Sequence, residues 1–282
     1  MIATVTDMPA NQSVNAQRNL EAGIVPDAQV RRAMILEELA THRVVRIADL
    51  SERFGVSEVS IRRDLERLEQ SGLLKRIHGG AVSIPGLPAH ELISARALAH
   101  AREKERIGRA AAQMIRENER LIFDSGTTTL QVARNIPGHL LTSGNLTVIT
   151  ASLPIVYELG AWKNVHIIVL GGVYLHEYQV MVGPQTIEAL RGLHADTMFL
   201  GADGLTFSNG VTTANVLEAE VDRALVHSAS KVVVVADSSK IGVIGLVTIM
   251  PLTKINALIT DDRAPPDFVA RLRDEGVEVI TV

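Results

Sequence analysis

The chain contains no cysteine, which excludes disulfide bonds, thiolate metal centres and cysteine nucleophiles together. No apolar run approaches the ~18 residues that a membrane-crossing helix needs. The first 25 residues lack the basic start and apolar centre of a secretory leader, so a cytoplasmic location is expected. No G-x-G-x-x-G follows an apolar run, no Walker phosphate loop occurs, and the nine histidines include no H-x-x-x-H pair. A Rossmann oxidoreductase and a metal-dependent enzyme thus lack their usual signatures, and neither a metal nor a cofactor is expected. Nor is one sign of charge in excess. The formal net charge is −4, and over the first 90 residues Lys plus Arg roughly balance Asp plus Glu. Contact with nucleic acid must therefore rest on where charges point, not on their sum.

What is present is enough for two domains: 282 residues, of which 46% are hydrophobic. The most informative stretch is VSEVSIRRDLERLEQSGLLKRIHGGAV, residues 56–82. At the helical period Ile61, Leu65 and Leu68 share one stripe, and Val59, Arg62, Arg63, Glu66 and Arg67 fall opposite. Ser57 precedes this run as an N-cap and Gly72 follows it as a stop, giving a helix of about four turns. Upstream, IADLSERF places Ile47, Leu50 and Phe54 on one face of a second helix, with a turn at Gly55-Val56. Further upstream, residues 27 to 42 carry Val30, Met34, Ile35 and Leu39 on one face of a first helix. Downstream, Leu73 to His78 is extended in character and Gly79-Gly80 signals a hairpin, a candidate wing. Helix, turn, helix and basic hairpin suit DNA. The planar fork of Arg reaches guanine edges or phosphates, Ser and Val can meet base edges or thymine methyls, and a helix N-terminus offers N–H donors to phosphate. An ordinary helical hairpin with solvated arginines is the alternative.

The same stretch resembles the DNA-binding region of the DeoR family of bacterial transcriptional repressors. It keeps Ile61, Arg62, Asp64, Leu65, Leu68, Glu69, Gly72, Arg76 and Gly79-Gly80-Ala81 of that family's run, with Ser60 where Thr is usual. The candidate DNA-binding residues are Ser57, Val59, Ser60, Arg62, Arg63 and Arg67 on the helix, and Lys75, Arg76 and His78 on the hairpin. Residues 1–26 read as a flexible extension, 27–82 as the winged helix-turn-helix domain, and 83–90 (SIPGLPAH) as a linker. Residues 91–282 read as an α/β domain for effector binding and oligomerisation.

Residues 91 to 119 are expected to be mostly helical, ordered by Ile107, Ala111, Met114 and Ile115. Beyond them come short apolar runs, LIF, LTVIT, VHIIVL, TMFLG, KVVVVA, INALIT and VEVITV, separated by helical stretches. Runs without alternation are what strands buried on both faces look like, and their spacing by helices predicts a mostly parallel α/β sheet. Ligands of such sheets sit beyond the carboxyl ends of the strands. There the chain places Asp124, Ser125, Gly126, Thr127 and Thr128, then Thr150 and Ser152, Gly171 and Gly172, Asp203, and Lys240. The DSGTTT turn combines glycine, hydroxyls and a helix start, which suits a phosphate or a polyol. A hydroxyl-capped turn is the plain alternative.

The DeoR resemblance extends over this half: DSGTTT, the GG after a strand, VGP, GADG, GVTT, the helix with Glu218 and Glu220, and ADSSK all match the family's sensor domain. That domain is similar to ribose-5-phosphate isomerase, and the family generally responds to phosphorylated sugars or related metabolites. By that resemblance Ser125 to Thr128 hold the phosphate, Asp203, Thr212, Thr213 and Lys240 face the sugar, and Glu218 belongs to the site. A phosphosugar isomerase carrying a DNA-binding domain is the rival reading. Against it, Thr213 stands where the isomerase pattern has a lysine and Asp222 near its catalytic glutamate. The expected protein is a regulator that binds operator DNA as a homodimer or homotetramer and takes a phosphorylated sugar-derived effector, with no membrane partner.

Overall fold

The computed structural model describes residues 28–70, 74–82, 96–97 and 100–282. The expected N-terminal extension, Gly72 as a helix stop, the linker at 83–90 and the side chain of Val30 lie outside the described residues. The chain divides into two compact units between residues 101 and 102.

The first unit runs α1 (Ala28–His42), β1 (Val44–Arg46), α2 (Ile47–Phe54), α3 (Glu58–Gln70), β2 (Lys75–Ile77) and β3 (Gly80–Val82). The apolar stripes predicted for the helices become one core: Met34, Ile35 and Leu39 from α1, Ile47, Leu50 and Phe54 from α2, and Ile61, Leu65 and Leu68 from α3. Gly55 ends α2 in the left-handed region, φ +63°, which a side chain would disfavour. Ser57 opens α3 by accepting the Ser60 N–H on its hydroxyl at 3.3 Å. The hairpin forms as expected, with Arg76 opposite Ala81 and Ile77 opposite Gly80. It gains a third strand that the residue pattern does not announce, since β1 pairs antiparallel with β3. A Cβ on Gly80 would lie 2.0 Å from the Val45 carbonyl oxygen, so only glycine lets these two backbones approach.

The second unit runs α4 (Ala101–Ala112), β4 (Arg120–Phe123), α5 (Thr127–Arg134), α6 (Gly138–Ser143), β5 (Thr147–Thr150), α7 (Leu153–Leu159) and β6 (His166–Val169). It continues with β7 (Val173–Leu175), β8 (Val180–Val182), α8 (Pro184–Ala189), β9 (Ala195–Leu200), β10 (Gly204–Thr206), β11 (Gly210–Thr213) and α9 (Val216–His227). Then follow β12 (Ala229–Val235), β13 (Val247–Met250), β14 (Ala257–Thr260), α10 (Pro266–Asp274) and β15 (Glu278–Thr281).

All seven apolar runs are strands of one sheet, in the order β15-β14-β12-β9-β4-β5-β6, with every pairing parallel. For the five inner strands the lack of alternation has a direct cause: both faces are covered. Ile122, Met198, Leu200, Val234 and Leu258 pack on one side with Val221 and Leu225 of α9 and Leu272 of α10. Leu121, Phe123, Phe199, Val233 and Ile259 pack on the other with Ile107 of α4, Val132 of α5 and Ile155 of α7.

Two expectations need correction. β6 and β15 are not buried on both faces: each is an edge strand with a single neighbour, Ile168 and Val169 of β6 are 38% and 47% exposed, and Glu278 and Thr281 of β15 are exposed. The helix expected to reach residue 119 stops at Ala112. The Met114 and Ile115 N–H groups bond back to Ala111 and Ala112 in tight turns, and the Glu119 carboxylate accepts the Arg116 N–H at 2.7 Å, a local alternative to helix.

Candidate functional site

On the first unit, Ser57, Val59, Arg62, Arg63 and Arg67 are exposed along one side of α3, with Ser60 half-buried, and Lys75, Arg76 and His78 are exposed on the wing. Two of these arginines are held by carboxylates: Arg62 donates to Glu58 at 2.6 Å within α3, and Arg76 donates to Glu69 at 2.8 Å from β2. Arg62 and Arg76 are thus held in defined positions. One group in α3 escaped the residue pattern. Asp64 is 3% exposed and accepts from Arg31 Nε at 2.6 Å and Arg32 at 3.3 Å, fastening α1 to α3. The acidic residue amid the IRRDLERL arginines was the available signal.

On the second unit, several of the candidates converge at the carboxyl ends of β4 and β9. The Asp124 carboxylate accepts the Ser125 N–H at 2.5 Å and, from the neighbouring strand end, the Gly201 N–H at 3.0 Å. The Ser125 hydroxyl donates to Glu218 Oε1 at 3.0 Å. Glu218 belongs to the first turn of α9, whose N-cap Asn215 accepts the Leu217 and Glu218 N–H groups. The Thr213 hydroxyl lies 3.2 Å from Asp203 Oδ2 and 3.5 Å from Glu218 Oε2, and Asp203 also accepts the Ala214 N–H at 2.9 Å. Gly126 precedes α5, which begins at Thr127 with no side-chain cap, so the start of this helix presents main-chain N–H groups at the same strand end.

Asp222, absent from the candidate residues, lies one turn after Glu218 on α9. It shares a small cavity with Asp124, Ser125 and Glu218, closed by Phe123, Val182, Val221 and Leu225. Its position four residues after Glu218 was the legible signal, since such spacing puts both on one helical face. Burial pushes the Asp222 carboxyl well above the ordinary aspartate range, and the negative charges of Asp124 and Glu218 push it the same way. Burial also raises Asp124, to about 6, against the opposing effect of its hydrogen bonds with Asp222, Gly201 and Ser125. Two facing carboxyls out of water cannot both ionise cheaply, so the pair holds a proton well above the pH at which a free aspartate would release it.

Several other candidates have hydroxyls or backbone committed to packing. Thr150 is fully buried, donating to the Phe123 carbonyl at 2.8 Å and accepting the Ser152 N–H at 3.0 Å. Ser152 is the buried N-cap residue of α7. Gly171 gives its carbonyl to Thr186, and a Cβ on Gly172 would lie 2.1 Å from the Thr186 hydroxyl, so this glycine pair seats α8. Thr212 bridges the small antiparallel sheet β10-β11-β13, donating to Gly204 and accepting the Gly245 N–H. Thr128 is buried in the first turn of α5 and Thr127 half-buried. Lys240 is half-buried at the end of a short 3-10 turn, Ser238–Lys240, that follows β12. Among the described residues no cluster of three or more His, Asp or Glu could hold a metal ion, and no helix is long and apolar enough to cross a membrane.

A family profile described as the DeoR C terminal sensor domain matches residues 99–262, and one described as a DeoR-like helix-turn-helix domain matches residues 31–85. The HTH-type transcriptional regulator GolR of Listeria innocua is 31% identical over 249 residues, covering 88% of this chain and 96% of the relative. The putative aga operon transcriptional repressor of Escherichia coli O157:H7 is 33% identical, covering 89% of this chain and 93% of the relative. Among solved structures, ribose 5-phosphate isomerase A from Methanocaldococcus jannaschii aligns with a TM-score of 0.37 at 14% identity, over 49% of this chain and 53% of that one. With both its units matched and relatives above 30% identity along most of its length, the chain belongs to the DeoR family of transcriptional regulators.

Proposed function

We propose that this chain represses genes of sugar metabolism, binding operator DNA through α3 and the wing and releasing it under control of a phosphorylated sugar or related metabolite. The observation that carries the effector half is the meeting of Asp124, Ser125, Asp203, Thr213 and Glu218 at one end of the parallel sheet, beside the start of α5. In this reading Ser125, Gly126, Thr127 and Thr128 receive the phosphate with the main-chain N–H groups and the positive end of the α5 dipole. Asp203, Thr213 and Glu218 accept or donate hydrogen bonds to sugar hydroxyls, and Lys240 supplies the positive charge. The proton held between Asp124 and Asp222 keeps the nearby carboxylates from repelling an anion at full strength.

The isomerase alternative is weaker. Relatives that match along most of the chain are named as transcriptional regulators, and Thr213, where a lysine would be needed, spends its hydroxyl on Asp203 and Glu218. Operators with two-fold symmetry fit a homodimer or homotetramer of the chain. Switching requires the effector to bind the DNA-incompetent state more tightly, and a coupling of about 1–3 kcal/mol changes operator affinity roughly 5- to 150-fold.

The test is binding to the DNA upstream of the protein's own gene at fixed salt, titrated with a panel of phosphorylated sugars. One compound is expected to shift the binding curve, and Thr127→Val is expected to bind the DNA normally while losing that response. DNA binding indifferent to every compound, or a Thr127→Val protein that still responds fully, overturns the effector reading.

A further inference from the structure

Glu69 lies in the last turn of α3, just past the exposed Arg67. Its carboxylate reaches the wing at two points. Oε1 accepts the main-chain N–H of Arg76 at 2.9 Å, and Oε2 accepts the Nε–H of the same residue at 2.8 Å. An exposed ion pair usually joins two mobile side chains and contributes little. The Glu58–Arg62 pair is of that kind, both partners being on α3. The Glu69 pair differs because one of its bonds ends on backbone. β2 is the outer strand of the three-stranded wing sheet, so the Arg76 N–H points away from β3 and would otherwise face water. The carboxylate therefore fixes the strand as well as the side chain. It also leaves the guanidinium useful: of its five N–H donors only Nε–H is engaged by Glu69, and the side chain is 41% exposed. These bonds, the main-chain one foremost, hold the Glu69 carboxyl below its ordinary pKa, so the clasp stays ionised at neutral pH.

We propose that Glu69 is a positioning residue for DNA recognition: it clasps Arg76 and the outer wing strand to α3, so that helix and wing meet a duplex as one surface. The inference rests on the DNA-binding reading of α3 and the wing. Its sign is what makes it testable. A carboxylate near DNA repels phosphates, so on charge alone its removal tightens binding to any duplex. A clasp predicts the reverse for the cognate duplex.

The experiment uses the full-length chain, the duplex it enriches from a randomised pool, and a scrambled duplex of equal length and composition, over a series of salt concentrations. Glu69→Ala is expected to bind the enriched duplex about tenfold more weakly and the scrambled duplex equally or more tightly. The salt slope on the enriched duplex should fall by about one, as for Arg76→Ala, and Arg76→Ala added to Glu69→Ala should cost little more. Tighter binding of both duplexes, or full additivity of the two substitutions, overturns the proposal. Should the alanine variant melt early, Glu69→Gln keeps an acceptor for the main-chain N–H. Weaker binding of the enriched duplex at unchanged melting supports the clasp, and tighter binding overturns it. A chain that enriches no duplex at all overturns the DNA-binding reading and this role with it.

Discussion

In the first unit Arg62, Arg63, Arg67, Lys75 and Arg76 stand in solvent outside the core, whereas in the second Asp124, Glu218 and Asp222 are 7%, 6% and 6% exposed beneath the strand ends. Both sets are ionisable, yet water screens the first and is kept from the second. Exposed charge can be exchanged for another side chain with little effect on the fold, so the cost of change appears in binding. Buried charge ties stability, pH and ligand together, because any change of ionisation changes the free energy of the folded state. In the proposed function the α3 face reads DNA, and the strand-end carboxyls couple the stability of the second unit to pH.

Asp64 offers the sharpest way to break that division, being a buried charge in the unit whose working charges are exposed. Asp64→Ala leaves Arg31, itself 7% exposed, without its carboxylate. The expected loss is about 3–5 kcal/mol for the first unit. Chemical denaturation followed separately in the two units checks it, the second unit's transition staying in place. A loss below about 1 kcal/mol would mean that the arginines find water instead.

The next effect has the opposite sign. With their pKa values raised in the folded state, Asp124 and Asp222 bind more protons folded than unfolded from about pH 4 to pH 6 and, for Asp222, beyond. Stability therefore falls as pH rises through that window. Asp222→Asn keeps a hydrogen bond to Asp124 and removes one charge, so it is expected to stabilise the second unit by about 1–3 kcal/mol at pH 8 and hardly at pH 4. Melting temperature against pH should be flatter for the variant. An equally steep profile would show that Asp222 does not hold its proton above the ordinary aspartate range in the folded state.

Smaller in stability, though not in binding, is Arg63→Ala. It is expected to weaken operator binding by about 1–3 kcal/mol with melting and effector affinity unchanged. Equal loss of both affinities, measured by DNA titration and calorimetry, would erase the separation of the two units. The smallest effect belongs to an exposed pair in the second unit, Arg134 of α5 with Glu158 of α7 at 2.9 Å. Arg134→Ala should cost less than about 1 kcal/mol in denaturation, and less still at high salt.

The sheet was legible because strands covered on both faces need apolar residues at consecutive positions, and the five inner runs supply them. β1, β7, β8 and β10 have three residues each, too few to display a period, and they are held by pairing rather than by composition. At the site, the positions of Asp124, Ser125 and Asp203 follow from topology, since strand ends of one sheet lie side by side. The uses of Thr150, Thr212 and Gly172 do not. Hydroxyls and glycines serve packing as readily as ligands, and which they serve depends on neighbours far away in the chain, such as Thr186 against Gly172. The pairing of Asp124 with Asp222 was hidden for the same reason.

The contact between Gly80 and the Val45 carbonyl has a consequence in genetics. Every single-base missense change in a glycine codon introduces a Cβ, and at this position any Cβ would sit 2.0 Å from an oxygen of the adjoining strand. The codon for residue 80 should therefore tolerate silent changes alone. In a collection of alleles selected for loss of operator binding it should recur with several different replacements, whereas a codon such as that for Arg63 would recur only through loss of its guanidinium.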